Sequence, residues 1–358
     1  MVYLLLFAGL FMGWSLGTND AANAFGTAVA TRVIKYRTAV IIIAVLVVIG
    51  AYTAGENNIG KIAELATSNK VTASMMEVEA AIEEDEEEKL RLRSALKAAI
   101  IFTCEGLTVF VMSWLQFPVS ANQSITGAII GWGLFHANYS DPAVLAVNLP
   151  QLGKFASTWV LNPLGAGLIS FALVWLVNRF VKQKLTSIGS YDLIIKAGYL
   201  IAGAFASYSI GMNSSANVTA LYFDAAYAQT GVAANLLTDA RLTATIGGIA
   251  IALGVLTYSK KVMMTVGANI ASISQLDGFL VIIGMALTVV IMGNWMGIPV
   301  STSQAVVGAV IGAGLVKGVD NIHFSILKRI AIAWVSSPTA AGLLTYIVAV
   351  LTQGYFAA

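Results

Sequence analysis

Two short polar motifs, each present twice, hold most of the residues able to do chemistry in this chain. The first reads Gly17-Thr18-Asn19-Asp20-Ala21-Ala22-Asn23 and returns in looser form as Gly211-Met212-Asn213-Ser214-Ser215-Ala216-Asn217. The second reads Pro118-Val119-Ser120-Ala121-Asn122-Gln123-Ser124 and returns as Pro299-Val300-Ser301-Thr302-Ser303-Gln304. Carboxylate, amide and hydroxyl oxygens suit a hard cation, whereas amide N–H groups and hydroxyl donors suit an anion. Proline opens a helix well at its first turn, where leading amide hydrogens are free and the helix dipole favours negative charge. Glycine and small residues let a helix break, so both copies of the first motif are expected to interrupt their helices and free further amides and carbonyls. The chemistry implied is reversible binding of a small charged solute. No Walker-type phosphate loop is present, and the His-rich or paired-carboxylate constellation needed to cleave a phosphate ester is missing, so an enzyme is not expected.

The elements that must position these groups are membrane helices. Of 358 residues, 58% are hydrophobic and 11% charged, against roughly 25% charged in a soluble domain. Eight of the 18 acidic residues fall between Glu77 and Glu88, which leaves the remainder poorer still in charge. Apolar segments lie near residues 2–16, 21–31, 38–54, 97–115, 123–135, 155–178, 193–210, 241–257, 278–296, 304–316 and 326–352. Several reach the length of about 20 residues that crosses a bilayer with every backbone group paired internally; others are too short. The first lacks a basic start and leads into Gly17-Thr18-Asn19-Asp20, so it reads as a membrane helix rather than a cleaved leader. In hydrocarbon, Asp20 between two asparagines is expensive unless it lines an enclosed polar cavity.

Basic residues gather at Arg32, Lys35 and Arg37, at Arg179, Lys182 and Lys184, and at Lys260 and Lys261. The positive-inside rule places them in the cytoplasm and the amino terminus outside. The polar connection 55–96 then lies outside, with Glu83 to Glu88 followed by Lys89, Arg91 and Arg93 expected as a solvated charged helix. A net charge of +2 without a basic arm sets nucleic acid aside. A single cysteine, Cys104, excludes an internal disulfide.

Internal repetition sets the expected architecture. Residues 117–134 and 298–315 match at 10 of 18 positions without a gap. The two motifs occur in the same order in each half, so 1–180 and 193–352 read as two homologous repeats of one transport domain. Four polar helix tips at corresponding places are the pattern of a secondary transporter whose site lies at the repeat interface near the membrane midplane. A channel also uses re-entrant helices, but conducts without the saturation and obligatory second solute of a symporter. The fold expected is an all-α polytopic membrane protein built from two repeats with broken helices.

The run Gly17-Thr18-Asn19-Asp20-Ala21-Ala22-Asn23-Ala24-Phe25-Gly26-Thr27 resembles a signature of the inorganic phosphate transporter (PiT) family, and Pro118-Val119-Ser120 and Pro299-Val300-Ser301-Thr302 resemble its second signature. The resemblance implies inverted repeats with two re-entrant helical hairpins meeting at the site. It implies symport of inorganic phosphate into the cytoplasm with sodium, or with protons, across the cell membrane and commonly as a homodimer. Carried onto matching positions, it implies that Asp20, Asn23, Ser120, Asn213, Asn217 and Ser301 line the anion and cation sites; at the same helix tips the hydroxyls and amides of Asn122, Gln123, Ser124, Thr302, Ser303 and Gln304 are expected to join them in anion binding. The coupling cation, sodium in the first instance, falls to Asn19, Asp20, Asn23, Asn213, Asn217 and Glu105. Two positions depart from the family: Ser214 stands where it usually repeats the aspartate, and Gln123 and Gln304 stand where it usually has histidine. A sulfate-permease branch also departs from that histidine. Phosphate near neutral pH can donate a hydrogen bond to a carboxylate and sulfate cannot, so Asp20 favours phosphate.

Glu105 is the second carboxylate inside an apolar run and could take a proton or help hold sodium. Asp224 is read as a helix-end marker, and His136 and His323 as interfacial residues. No cofactor is expected beyond the coupling ion.

Overall fold

The computed structural model describes residues 2–66, 84–139, 147–182, 188–223, 239–269, 273–296 and 300–354. Expectations for Asp224, for Pro299 and for Glu77 to Glu83 lie outside these residues. The described chain is helical: α1 (Val2–Ala30), α2 (Tyr36–Ala54), α3 (Glu56–Leu65), α4 (Glu84–Trp114), α5 (Ala121–Tyr139), α6 (Leu149–Leu176), α7 (Ile188–Thr219), α8 (Ala240–Tyr258), α9 (Lys260–Asn269), α10 (Gln275–Thr288), α11 (Thr302–Leu315) and α12 (Phe324–Leu351). A π-helical stretch, Val289–Trp295, prolongs α10, and another, Val177–Val181, prolongs α6.

Seven of the described helical segments are long and apolar enough to cross a bilayer, from Tyr36–Ala54 to Phe324–Leu351. Helix α11, with 14 residues, is too short at 1.5 Å per residue. It is nevertheless buried almost throughout, from Thr302 to Gly314. A short apolar helix enclosed on all sides is the inner lining of a bundle, whereas Leu168, Val335 and Leu351 on the long helices point outward. The chain is an all-α multi-pass membrane protein.

Two expectations need correction. Helix α1 runs unbroken through Gly17 to Asn23, and α7 runs unbroken through Gly211 to Asn217. The segments 2–16 and 21–31 are therefore one helix. The glycines serve close packing: a methyl group on Gly17 would collide with the carbonyl oxygen of Ile251 in α8, and one on Gly211 with that of Val47 in α2. The charged stretch from Glu84 is helical and runs on without a break into the apolar part of α4.

Chain breaks do occur at the second pair of motifs. Helix α4 ends at Trp114, Gln116 adopts a left-handed φ of 65°, and α5 starts at Ala121 directly after Pro118-Val119-Ser120. Ser301 caps α11, its hydroxyl accepting from the Gln304 amide at 3.3 Å. Ser120 does the same for α5 through the Gln123 amide at 3.3 Å. Helix α5 packs on α12 and α11 on α6. Each contact is made where glycine meets the carbonyl beside an intrahelical proline: Gly127 against Pro338, and Gly308 against Pro163.

Candidate functional site

The side chains of both motif pairs meet in one buried cluster. Asp20 is its centre: Oδ1 accepts from Asn23 Nδ2 at 3.1 Å and from the Thr302 hydroxyl at 3.2 Å, and Oδ2 accepts from the Ser214 hydroxyl at 3.1 Å. Asn23 Nδ2 also lies 3.1 Å from the Thr302 hydroxyl oxygen and 3.0 Å from that of Ser303. Asn217 answers from α7, donating to Asn122 Oδ1 at 2.7 Å. Each first-type motif thus reaches the helix tip of the opposite half. Hydrogen bonds to a carboxylate are stronger than neutral ones, which is how Asp20 draws α1, α7 and α11 to one point.

Asn19 and Asn213 act differently, and alike. Asn19 Nδ2 donates to the Phe117 carbonyl at 3.0 Å and to the Ser113 hydroxyl at 2.9 Å, while Oδ1 accepts from Val119 N at 3.1 Å. Asn213 Nδ2 donates to the Val300 carbonyl at 2.7 Å, and its Oδ1 accepts from Val300 N at 3.3 Å. An extended segment inside a membrane protein has backbone groups that no helix satisfies. The two asparagine amides satisfy them on both strands of approach and so hold each Pro-Val-Ser tip against its own α1 or α7.

Around this scaffold lie polar atoms with no protein partner among the described residues. Asn23 Oδ1, Asn122 Nδ2, Gln123 Oε1, Ser124 Oγ, Asn217 Oδ1 and both amide atoms of Gln304 are buried and unpaired. The side chains at both tips are almost inaccessible; Gln304 is 1% exposed and Asn23 2%. Leaving a buried polar group unsatisfied costs about 1–3 kcal/mol each. Donors and acceptors are both among these unpaired atoms, which makes this cluster the candidate site.

Asn162 escaped the sequence reading. It is fully buried on α6, and its Nδ2 donates to the Ser301 carbonyl at 2.7 Å, which steadies the cap of α11 from outside. The available signal was its place beside Pro163 in Trp159-Val160-Leu161-Asn162-Pro163, which matches Trp334-Val335-Ser336-Ser337-Pro338.

Glu105 does not join the cluster. It is fully buried on α4 with neither carboxylate oxygen hydrogen-bonded. It precedes by eight residues Ser113, the residue that touches Asn19, which puts it about 12 Å away along the helix. Gln123 also borders a cavity of about 660 Å³ lined by residues of α5 and α12 and by Trp159. His136 lies in the last turn of α5 and His323 precedes α12, at the helix ends expected of them. Among the described residues no three His, Cys, Asp or Glu side chains gather as a metal cluster.

Comparison with known proteins agrees with this geometry. The sequence profile described as the phosphate transporter family matches residues 16–345. A Pyrococcus abyssi protein named as a phosphate permease is 27% identical, the alignment covering 96% of each chain. One from Pyrococcus furiosus, also named as a phosphate permease, is 27% identical across 97% of this chain and 95% of its own. A solved structure titled as the sodium-dependent phosphate transporter shares the fold, with a TM-score of 0.76, 23% identity and 98% coverage of both chains. The family comprises transporters rather than enzymes, and the chain belongs to the phosphate transporter family.

Proposed function

We propose that this protein is a secondary active symporter that carries inorganic phosphate into the cytoplasm together with sodium. The observation that supports this reading is the buried set of unpaired donors and acceptors beside Asp20, at the first turns of α5 and α11. Two helix amino termini favour an oxyanion, and Asn122 and Gln304 offer amide donors to it. A carboxylate next to an anion is repulsive, and a cation between them removes the conflict. Shared binding of the two opposite charges then couples their movement thermodynamically. Asp20, Asn23, Asn217 and the serine and threonine hydroxyls supply the oxygen ligands a sodium ion takes.

In this reading the halves 1–180 and 193–352 are inverted repeats. The α4–α5 and α10–α11 pairs are re-entrant hairpins entering from opposite sides, and α1 and α7 cross between them. The end that holds Tyr36, Ser259 and Lys260 faces the cytoplasm, since Tyr36 lies 3.2 Å from Ser259 and beneath Lys260. The protein resides in the plasma membrane and functions as a homodimer.

A proton-coupled variant is the second reading, favoured by Glu105, whose two buried oxygens accept no hydrogen bond among the described residues. Purified protein in liposomes separates these. Labelled phosphate should accumulate under an inward sodium gradient; accumulation under a proton gradient alone transfers the coupling role to a protonatable group. Accumulation of sulfate but not phosphate overturns the substrate assignment.

A further inference from the structure

Arg329 is an unusual cation. It lies in the second turn of α12, a candidate membrane span, and its side chain is exposed. Among the described residues no carboxylate pairs with it. Its one described partner is the ring of Phe117, with Cζ 5.5 Å from the centroid. Phe117 immediately precedes Pro118-Val119-Ser120, and its carbonyl accepts from Asn19. The guanidinium therefore sits under the tip of the α4–α5 hairpin, within about 10 Å of chain from Ser120. A cation–π contact to the Phe117 ring engages the guanidinium without using up its N–H donors, which stay available to an oxyanion. An ionisable side chain inside a membrane segment without a partner is costly to keep for packing alone.

The position recurs. Aligning Trp159-Val160 with Trp334-Val335 and Pro163 with Pro338 puts Lys154 of α6 opposite Arg329 of α12, each five residues before the tryptophan. Lys154 is also exposed. The two mark opposite ends of the bundle. Asn178, beyond the far end of α6, bonds Asp277, and Asp277 pairs with Lys317 just ahead of α12. The end of α6 thus lies with the start of α12, and the start of α6 with the other face.

We infer that Arg329 forms an anion-receiving station at the mouth of the central site, an auxiliary binding position for the phosphate ion on the face where α12 begins, with Lys154 in the matching place on the other face. The assignment rests on the phosphate-transport reading. A fixed positive charge at a mouth raises the local anion concentration and speeds capture and release without changing equilibrium affinity at the central site, and salt weakens it.

The test uses initial uptake of labelled phosphate at concentrations far below saturation, in membrane vesicles of both orientations. Sodium is held constant while ionic strength is raised with choline chloride. From the α12-start face, Arg329→Gln should lower the capture rate about threefold to tenfold and abolish its salt dependence, with the rate from the opposite face unchanged. Arg329→Lys should retain most of the rate and its salt dependence. Equal losses for Gln and Lys, or a loss equal from both faces, assign Arg329 to structure and overturn the inference, as does a Gln variant matching wild type. Wild-type vesicles that take up no phosphate refute the transport reading instead, before any variant is compared.

Discussion

Ser214 on α7 donates its hydroxyl to Asp20 on α1 at 3.1 Å, joining the matching positions of the two glycine-asparagine motifs face to face. A second aspartate at 214 would put two buried carboxylates in contact, which cannot both stay ionised without a cation between them. The chain instead has one charge and one donor. Replacing Ser214 with Asp adds a second charge and oxygen ligand beside Asp20, so the half-saturating sodium level in liposome uptake is expected to fall. A sodium response identical to wild type would show that position 214 is remote from the cation.

Asp20 should be the most sensitive single residue. Asp20→Asn keeps the shape but loses the charge that accepts from Ser214, Thr302 and Asn23. A hydrogen bond to a charged group contributes about 1.5–3 kcal/mol, so uptake should fall at least about tenfold and its cation dependence should change. Full transport with unaltered cation dependence contradicts the assignment.

Close helix packing at the motif glycines predicts a stability effect separable from function. Gly17→Ala and Gly211→Ala force a methyl group into a backbone carbonyl of the neighbouring helix. Overpacking of this kind costs roughly 1–3 kcal/mol. Gly60→Ala, where nothing lies within 4 Å of the added methyl, is the control. Thermal unfolding followed by size-exclusion chromatography should show lowered midpoints for the first two and an unchanged one for the third.

Asp277 is almost wholly buried, with its side chain 1% exposed, and pairs with Lys317 at 2.8 Å. Removing the cation leaves a buried charge short of its partner, which costs more than neutralising the acid. Lys317→Met should therefore lower stability by about 2–3 kcal/mol and Asp277→Asn by less, measured on the same thermal assay. The reverse order would mean that Asn178 and Ser274, whose hydroxyl donates to Asp277 Oδ2 at 2.7 Å, suffice to hold the carboxylate.

Glu105 offers a clean test of coupling because it lies apart from the cluster. Glu105→Gln preserves size and burial while removing the ionisable group. Sodium-driven uptake is expected to persist with its sodium dependence intact, and loss of proton-gradient sensitivity in this variant would give the residue the coupling role.

Much of this protein was written in its sequence. Hydrocarbon allows only internally satisfied backbone, so apolar runs had to be helices, and repeated polar motifs inside them had to face protein rather than lipid. Hydrogen-bonding type alone indicated a site with both donors and acceptors. Other features needed the folded chain. Composition could not reveal that Gly17 and Gly211 tighten helix crossings instead of breaking helices, because a glycine's effect depends on what approaches it. Nor could spacing separate Asn19 and Asn213, whose amides hold hairpin backbones, from Asn23 and Asn217, which reach the opposite half: four asparagines of one type differ only in which way their helix face turns. Asn162 and Arg329 lie far along the chain from the segments they touch, and only tertiary packing brings them to Ser301 and Phe117. Local sequence determined the groups available; long-range packing decided which were tied into structure and which were left without a protein partner among the described residues.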